Sequence, residues 1–414
     1  MPSTVSALQE NELFRKLLGE EVVKSNSPIE IVGIELSGEG AFSRVYRVSL
    51  KDENGFFYQI ALKVAREKAD ISDVTKSYQQ YLLEGASKQL PGVMKSMGVF
   101  GITEEGSVEV LNASDETVRE RLFQIVFEIQ QVLPEQATQL LEILGTLGLE
   151  TIQDGRTAEG HITESHTANI ENIYKQVISI LADIHQSPVD RGTLESDYAA
   201  YQDGLEHVIT DSSRLDGVAK DLQEGSVLAD QYHKIRERMV RLSRLLAQHF
   251  PHRLANIHAD AWASNFFVGG ENNQTVYCID PGTAPYGDPA NDVVFALADL
   301  VFVDVNKNVA AQNINFGGEQ TDLAVGLLEE YQNLSQMTES QKEELRTVMP
   351  LFYGFKAFVS AKFDAQKSEE QQALLTSSAI GALDIAISEI EDGRYFNFSF
   401  EDLNLYSAHG KTIS

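Results

Sequence analysis

Three short stretches near residues 30–37, 43–50 and 57–65 are rich in β-branched and alternating apolar residues, and each predicts a β-strand. Ahead of them, residues 4–24 carry apolar side chains at helical spacing, which predicts an amphipathic helix. A helix over 71–90 comes next. The segments Phe100–Ile102, Val108–Leu111 and Leu122–Ile129 then complete a small antiparallel sheet. From about residue 131 the period changes. Leu133–Leu144 has Pro134 near its start and an apolar stripe, a helix signature. Residues 149–168 are polar and hold Gly155 and Gly160, so they read as a loop. Ala168–Gln186 reads as a buried amphipathic helix. A helical insert spans 195–250, and further helices fill 320–395, among them Met349–Ala365 and Gln371–Ile390. The expected class is α+β: an N-terminal lobe over 1–129 and a mainly helical lobe over 130–414.

Within the first sheet lies a candidate phosphate loop. Ile34-Glu-Leu-Ser37-Gly38-Glu39-Gly40-Ala41-Phe42-Ser43-Arg44-Val45-Tyr46 reads as strand, glycine-rich turn and strand. Gly38 and Gly40 let the backbone bend closely over phosphates, where a Cβ would intrude. With Phe42 and Ser43 at the tip, they are the loop's candidates for nucleotide contact. The next strand, Tyr58–Ala65, is apolar except for Lys63. A lone Lys there is often a snorkelling edge residue. After a glycine-rich hairpin, a contact to phosphates is the better reading.

The most chemically specific segment is His258-Ala-Asp260-Ala-Trp262-Ala-Ser-Asn265, with Ile279-Asp280-Pro281-Gly282 a short hairpin further on. Asp260 is placed to accept a hydroxyl proton, and Asn265 and Asp280 offer oxygen ligands for a Mg²⁺ that bridges phosphates.

Taken in order, the glycine loop, Ala61-Leu62-Lys63, the His258–Asn265 segment and Asp280-Pro-Gly282 resemble the protein-kinase-like superfamily. The run Asp280–Asp292 resembles its aminoglycoside phosphotransferase and choline kinase branch. The likeness covers roughly 30–130 and 170–300 and thins beyond. It implies a bilobal protein-kinase-like fold and transfer of the γ-phosphoryl of ATP, with Mg²⁺, to an alcohol. It further implies Asp260 as catalytic base, Asn265 and Asp280 as Mg²⁺ ligands, and Lys63 on the α/β-phosphates with Glu84 as its helix partner. By order in the chain, backbone groups of Glu128 and Gln130 fall at the hinge that meets an adenine edge. His258 and Asp292 are expected to support the loop rather than enter the chemistry, and His185 to be a satisfied core or groove residue.

Two features depart from the branch. Ala259 stands where the branch usually has Gly, which is tolerable unless φ there is positive. Trp262 replaces the usual His; it either stacks on a substrate or cation or packs in the core. A protein kinase is the nearest competing reading. The eleven residues between Asp280 and Asp292 leave no room for an activation segment. The seventy-two between His185 and His258 are more than that region needs, and inserts of this kind wall an acceptor in the small-molecule branch. A pseudoenzyme scaffold is disfavoured because Lys63, Asp260, Asn265 and Asp280 are all present.

Composition narrows the partners. A formal net charge of −29 argues against nucleic acid or an anionic membrane as the main partner. It suits a cationic acceptor or a solvated acidic surface, and Asp203 and Glu206 in the insert are the candidate acidic face for such an acceptor. One cysteine, Cys278, excludes an intrachain disulfide. No apolar run approaches a membrane span and the N-terminus shows no leader, so a cytoplasmic enzyme with a small-molecule acceptor is expected. Amino alcohols, aminoglycosides and sugars remain open as acceptors, and so does the oligomeric state.

Overall fold

The computed structural model describes residues 12–18, 29–39, 43–65, 93, 96–103, 108–110, 125–131, 133, 137–149, 169–187, 215, 219–220, 222, 226–250, 255–269, 275–279, 286–313, 315–363 and 368–413. Gly40, Phe42, Glu84, Asp280, Asp203 and Glu206 lie outside the described residues, as do the expected helix over 71–90 and the loop over 149–168. The chain forms two compact units, residues 1–137 with 277–285 and residues 138–276 with 286–414. The class is α+β, with a small antiparallel sheet in the N-terminal part and helices in the C-terminal part.

The first unit opens with α1 (Glu12–Leu18) and is built on β1 (Glu30–Glu39), β2 (Ser43–Lys51), β3 (Phe57–Ala65), β4 (Ser96–Ile102), β5 (Val108–Val110) and β6 (Ile125–Gln131). The six strands run antiparallel in the order β1-β2-β3-β6-β4-β5. Alternation decides which side chains meet. Ile60, Leu62 and Val64 of β3 join Val48, Leu50, Phe100 and Ile129 in one core, capped by Phe14 and Leu18 of α1. Lys63, one residue out of phase, points to the other face and stays half-buried.

The second unit starts differently from the sequence expectation. Residues 138–139 form β7 (Thr138–Gln139), and the helix begins only at Leu140 as α2 (Leu140–Leu149). Pro134 and the apolar spacing suggest a helix from 133. Pairing of Thr138 with Val268 and Gln139 with Phe267 overrides that local signal. Next come α3 (Ile170–Gln186), α4 (Val227–His249), β8 (Ala255–Asn256), β9 (Phe266–Gly269), β10 (Thr275–Cys278) and β11 (Tyr286–Gly287). Five long or medium helices close the chain: α5 (Ala290–Ala310), α6 (Glu319–Leu334), α7 (Glu339–Phe363), α8 (Glu369–Glu391) and α9 (Leu403–Ile413).

Helix α8 corrects the expectation that no apolar run approaches a membrane span. It is long and apolar enough to cross a membrane by length and composition, with 72% of its most apolar window buried inside the protein. Its apolarity on all sides serves packing, since Leu374, Leu375, Ala379, Ile380, Ala382, Leu383, Ala386 and Ile387 are core residues.

The short pair β8–β11 sets the position of the His258 segment. Tyr286 opposes Asn256 and Gly287 opposes Ala255, which seats the start of α5 beside the residues leading into His258. Gly287 packs closely on Ile257, whose Cδ1 would have to move aside for a Cβ at this position. Only Asp288 and Pro289 separate β11 from α5.

Candidate active site

The loop from Ile257 to Asn265 takes its shape from one buried carboxylate. Asp292, fully buried in the first turn of α5, accepts the N–H of His258 on Oδ2 at 2.5 Å and the N–H of Ala259 on Oδ1 at 2.9 Å. The same Oδ2 faces His185 Nε2 at 2.9 Å, while His185 Nδ1 meets the Tyr331 hydroxyl at 2.7 Å. A proton on Nε2, donated to Asp292, with Nδ1 accepting from Tyr331, satisfies both contacts at once. Both expectations hold: His185 is a satisfied core residue, and Asp292 bonds the loop backbone from the following helix. An anionic side chain is also favoured at a helix N-terminus.

Two consecutive amides aimed at one carboxylate force an unusual backbone. Ala259 has φ of +63°, in the left-handed region. The condition under which Ala was expected to be tolerable at no cost is not met. For an L-residue this conformation costs about 1–2 kcal/mol, and a Cβ-free residue escapes most of it. Ala259→Gly is therefore expected to raise stability by about 1 kcal/mol, after discounting the greater freedom of glycine in the unfolded chain. Urea unfolding of the two proteins checks it; an unchanged or lower midpoint would mean the loop is not strained at this residue.

His258 is 1% exposed, stacks on Phe266 with ring centroids 6.0 Å apart, and accepts the Asp260 N–H on Nδ1 at 3.3 Å. It shapes the turn from beneath, as expected. Asp260 itself is half-buried. Asn265 Nδ2 donates to the Asp260 carbonyl at 2.7 Å and to its carboxylate Oδ2 at 3.0 Å. Oδ1 of Asp260 has no hydrogen bond among the described residues, which leaves it open to a hydroxyl proton. The same geometry turns Asn265 Oδ1, a hard oxygen donor, away from Asp260. Asn265 Oδ1 is the kind of oxygen that Mg²⁺ takes, and Asp280, its expected co-ligand, lies outside the described residues. No group of three His, Cys, Asp or Glu gathers among the described residues.

Beyond Asp260 the loop is anchored by residues that motif reading missed. The Ala263 N–H donates to Asp299 Oδ2 at 3.0 Å, and Asp299 Oδ1 pairs with Lys356 Nζ at 2.7 Å. Lys356 is fully buried, and its ammonium lies 3.3 Å from the centroid of the Trp262 ring. Trp262 also meets Phe295 edge-on at 5.2 Å. The cation that Trp262 holds is therefore one of the chain's own. On the far side, Gln139 Nε2 donates to the Ser264 carbonyl at 2.7 Å. Signals for the two missed residues existed. Asp299 comes two helical turns after Asp292, and Lys356 is a lone cation inside Leu351–Val359.

In the first unit, Gly38 pairs with Val45 and Glu39 with Arg44, so β1 runs through the first glycine of the loop, with a register shift between Leu36 and Gly38. Ser43 opens β2. Lys63 sits opposite Val45 on one side and Glu128 on the other. Glu128 and Gln130 fall inside β6, not beyond its end. Glu128 also pairs with Val99 and Gln130 with Ala61 and Ser96, so strands flank both residues, with a register shift in β4 between Ser96 and Gly98. Strand β6 ends at Gln131, one residue past Gln130.

Residues 130–328 match the sequence profile of the phosphotransferase enzyme family, APH. No curated protein matches the chain. Among solved structures it is similar to an ethanolamine kinase of Plasmodium vivax, at 11% identity over 97% of this chain and 86% of that one, TM-score 0.45. It is also similar to the ADP-bound aminoglycoside phosphotransferase APH(2'')-Ib, at 14% identity over 91% and 99%, TM-score 0.43. A third is the choline kinase LicA of Streptococcus pneumoniae, at 12% identity over 90% and 97%, TM-score 0.40.

Proposed function

We propose that this chain, whose residues 130–328 match the APH phosphotransferase enzyme family, is an ATP-dependent kinase acting on a hydroxyl of a small molecule. The observation that carries the reading is the Asp260 carboxylate, fixed through Oδ2 by Asn265 and open at Oδ1. Asp260 orients the acceptor hydroxyl and takes its proton as the new O–P bond forms and the bond from the γ-phosphorus to the β-γ bridging oxygen breaks. Asn265 and Asp280 would hold Mg²⁺, which when bound offsets charge on the phosphates. Lys63 adds a charge-assisted contact to the same phosphates, and Gly38, Gly40, Phe42 and Ser43 cover them. Much of the acceleration comes from positioning, which suits a loop tied down at His258, Ala259, Ala263 and Ser264. The formal net charge of −29 argues against nucleic acid or an anionic membrane as the main partner.

The test is Mg²⁺-dependent ATP consumption against a panel of amino alcohols, aminoglycosides and sugars. Turnover should require both metal and acceptor, and Asp280→Ala should abolish it. A protein that neither binds ATP nor consumes it with any hydroxyl acceptor would overturn the reading. Within an active enzyme, Lys63→Ala should raise the KM for ATP and lower kcat together, by about 1.5–3 kcal/mol in kcat/KM, as loss of a charged hydrogen bond predicts. Steady-state kinetics with unchanged ATP KM would remove Lys63 from the phosphate contact.

A further inference from the structure

Beside the catalytic loop lies an open cavity of about 450 Å³ whose described lining includes Trp262, Phe302 and Val359, with Asn306 and Ser360 as uncharged polar groups. Gly145 of α2 and Asp299 of α5 also face it. Its size is within the usual range for a small-molecule site. Trp262 is two residues past Asp260, and its backbone N–H donates to the Asp260 carbonyl at 2.8 Å, so the cavity wall and the proton acceptor belong to one turn.

The charges in this wall are already matched. Asp299 is the only ionisable residue in the described lining, and its carboxylate is paired with Lys356 at 2.7 Å and with the Ala263 N–H at 3.0 Å. Trp262, the aromatic that would attract a substrate cation, already faces the Lys356 ammonium at 3.3 Å. An ammonium group entering here would lose hydration without meeting an unpaired carboxylate among the described residues. An apolar body would instead cover Trp262, Phe302 and Val359, with Ser360 as an uncharged polar group beside it.

We propose that this cavity binds the acceptor of the transfer reaction, and that the acceptor is an uncharged hydroxyl compound with an apolar body, not an ammonium-bearing alcohol. This rests on the kinase reading above and narrows it. Gly145 supplies a clean test. A Cβ built there meets nothing within 4 Å, so Gly145→Leu narrows the cavity while replacing a helix-weakening glycine. Trp262 is the chain's single Trp, so its fluorescence reports occupancy directly.

Hexyl glucoside, glucose, choline and kanamycin are titrated into the full chain with Mg²⁺ and ATP, following Trp emission and phosphoryl transfer. Hexyl glucoside should change the emission saturably and be phosphorylated with a KM at least about tenfold below that of glucose, in line with burial of its alkyl chain. In Gly145→Leu that KM should rise about tenfold or more, with the ATP KM within about twofold of wild type. The proposal is overturned if choline or kanamycin saturates at lower concentration than hexyl glucoside, if hexyl glucoside leaves the emission unchanged, or if Gly145→Leu matches wild type. Thermal-shift binding of Mg²⁺-ATP separates the two readings. A chain that binds ATP and phosphorylates choline keeps the kinase function and loses this acceptor class. A chain that binds no ATP loses the kinase function, and emission with hexyl glucoside alone then decides the cavity's ligand class.

Discussion

Asp260→Asn is expected to lower kcat by about 10²–10⁴-fold while the affinity for ATP stays within a few-fold of wild type. An Asn at this position can still present an oxygen to Asn265 Nδ2, and the backbone carbonyl that holds Asn265 at 2.7 Å is untouched. The loop should therefore keep its shape and lose only the group that takes the proton. Rapid-quench measurement of phosphoryl transfer, with ATP binding measured separately, checks both halves. Turnover equal to wild type would remove Asp260 as the base. A parallel collapse of ATP affinity would show that Asp260 serves the metal site instead.

Lys356→Met should have the second-largest effect, and on stability as much as on rate. The substitution keeps the stem's length and removes the charge. It leaves Asp299, 11% exposed at its side chain, without the cation 2.7 Å away. Breaking a buried ion pair from one side costs about 3–5 kcal/mol, because the remaining charge is uncompensated. The double variant Lys356→Met with Asp299→Asn should recover a large part of that loss, since a neutral amide can still accept the Ala263 N–H. Thermal unfolding of the single and double variants forms a double-mutant cycle. Additive losses with no recovery would mean the pair contributes through packing and not through charge.

How far the molecule was legible from its residues differs from one element to the next. Strands β1, β2 and β3 were readable because period-two alternation is a local property, and their pairing buries one face of each. The contact between Asp260 and Asn265 was readable because the two are five residues apart and meet within one loop. Residues 133–139 misled because apolar spacing and an early Pro are local signals, whereas pairing with Phe267 and Val268 is set by tertiary contact. The positive φ of Ala259 comes from Asp292 drawing in two successive amides, which no property of Ala announces. Asp299 and Lys356 escaped notice because each looks ordinary alone; only their juxtaposition with Ala263 gives them a task.

The buried ammonium on α7 has a consequence for where the segment that matches the phosphotransferase profile ends. Lys356 lies past residue 328, outside the segment that matches the phosphotransferase profile. A fragment cut at that border would keep Asp260, Asn265 and Asp292, which the sequence motif marks, and Asp299, which it does not. It would also strand the Asp299 carboxylate and uncover one face of Trp262. The border of a recognisable sequence is thus not the border of a working unit in this protein, and any minimal version of it should carry the chain on through α7.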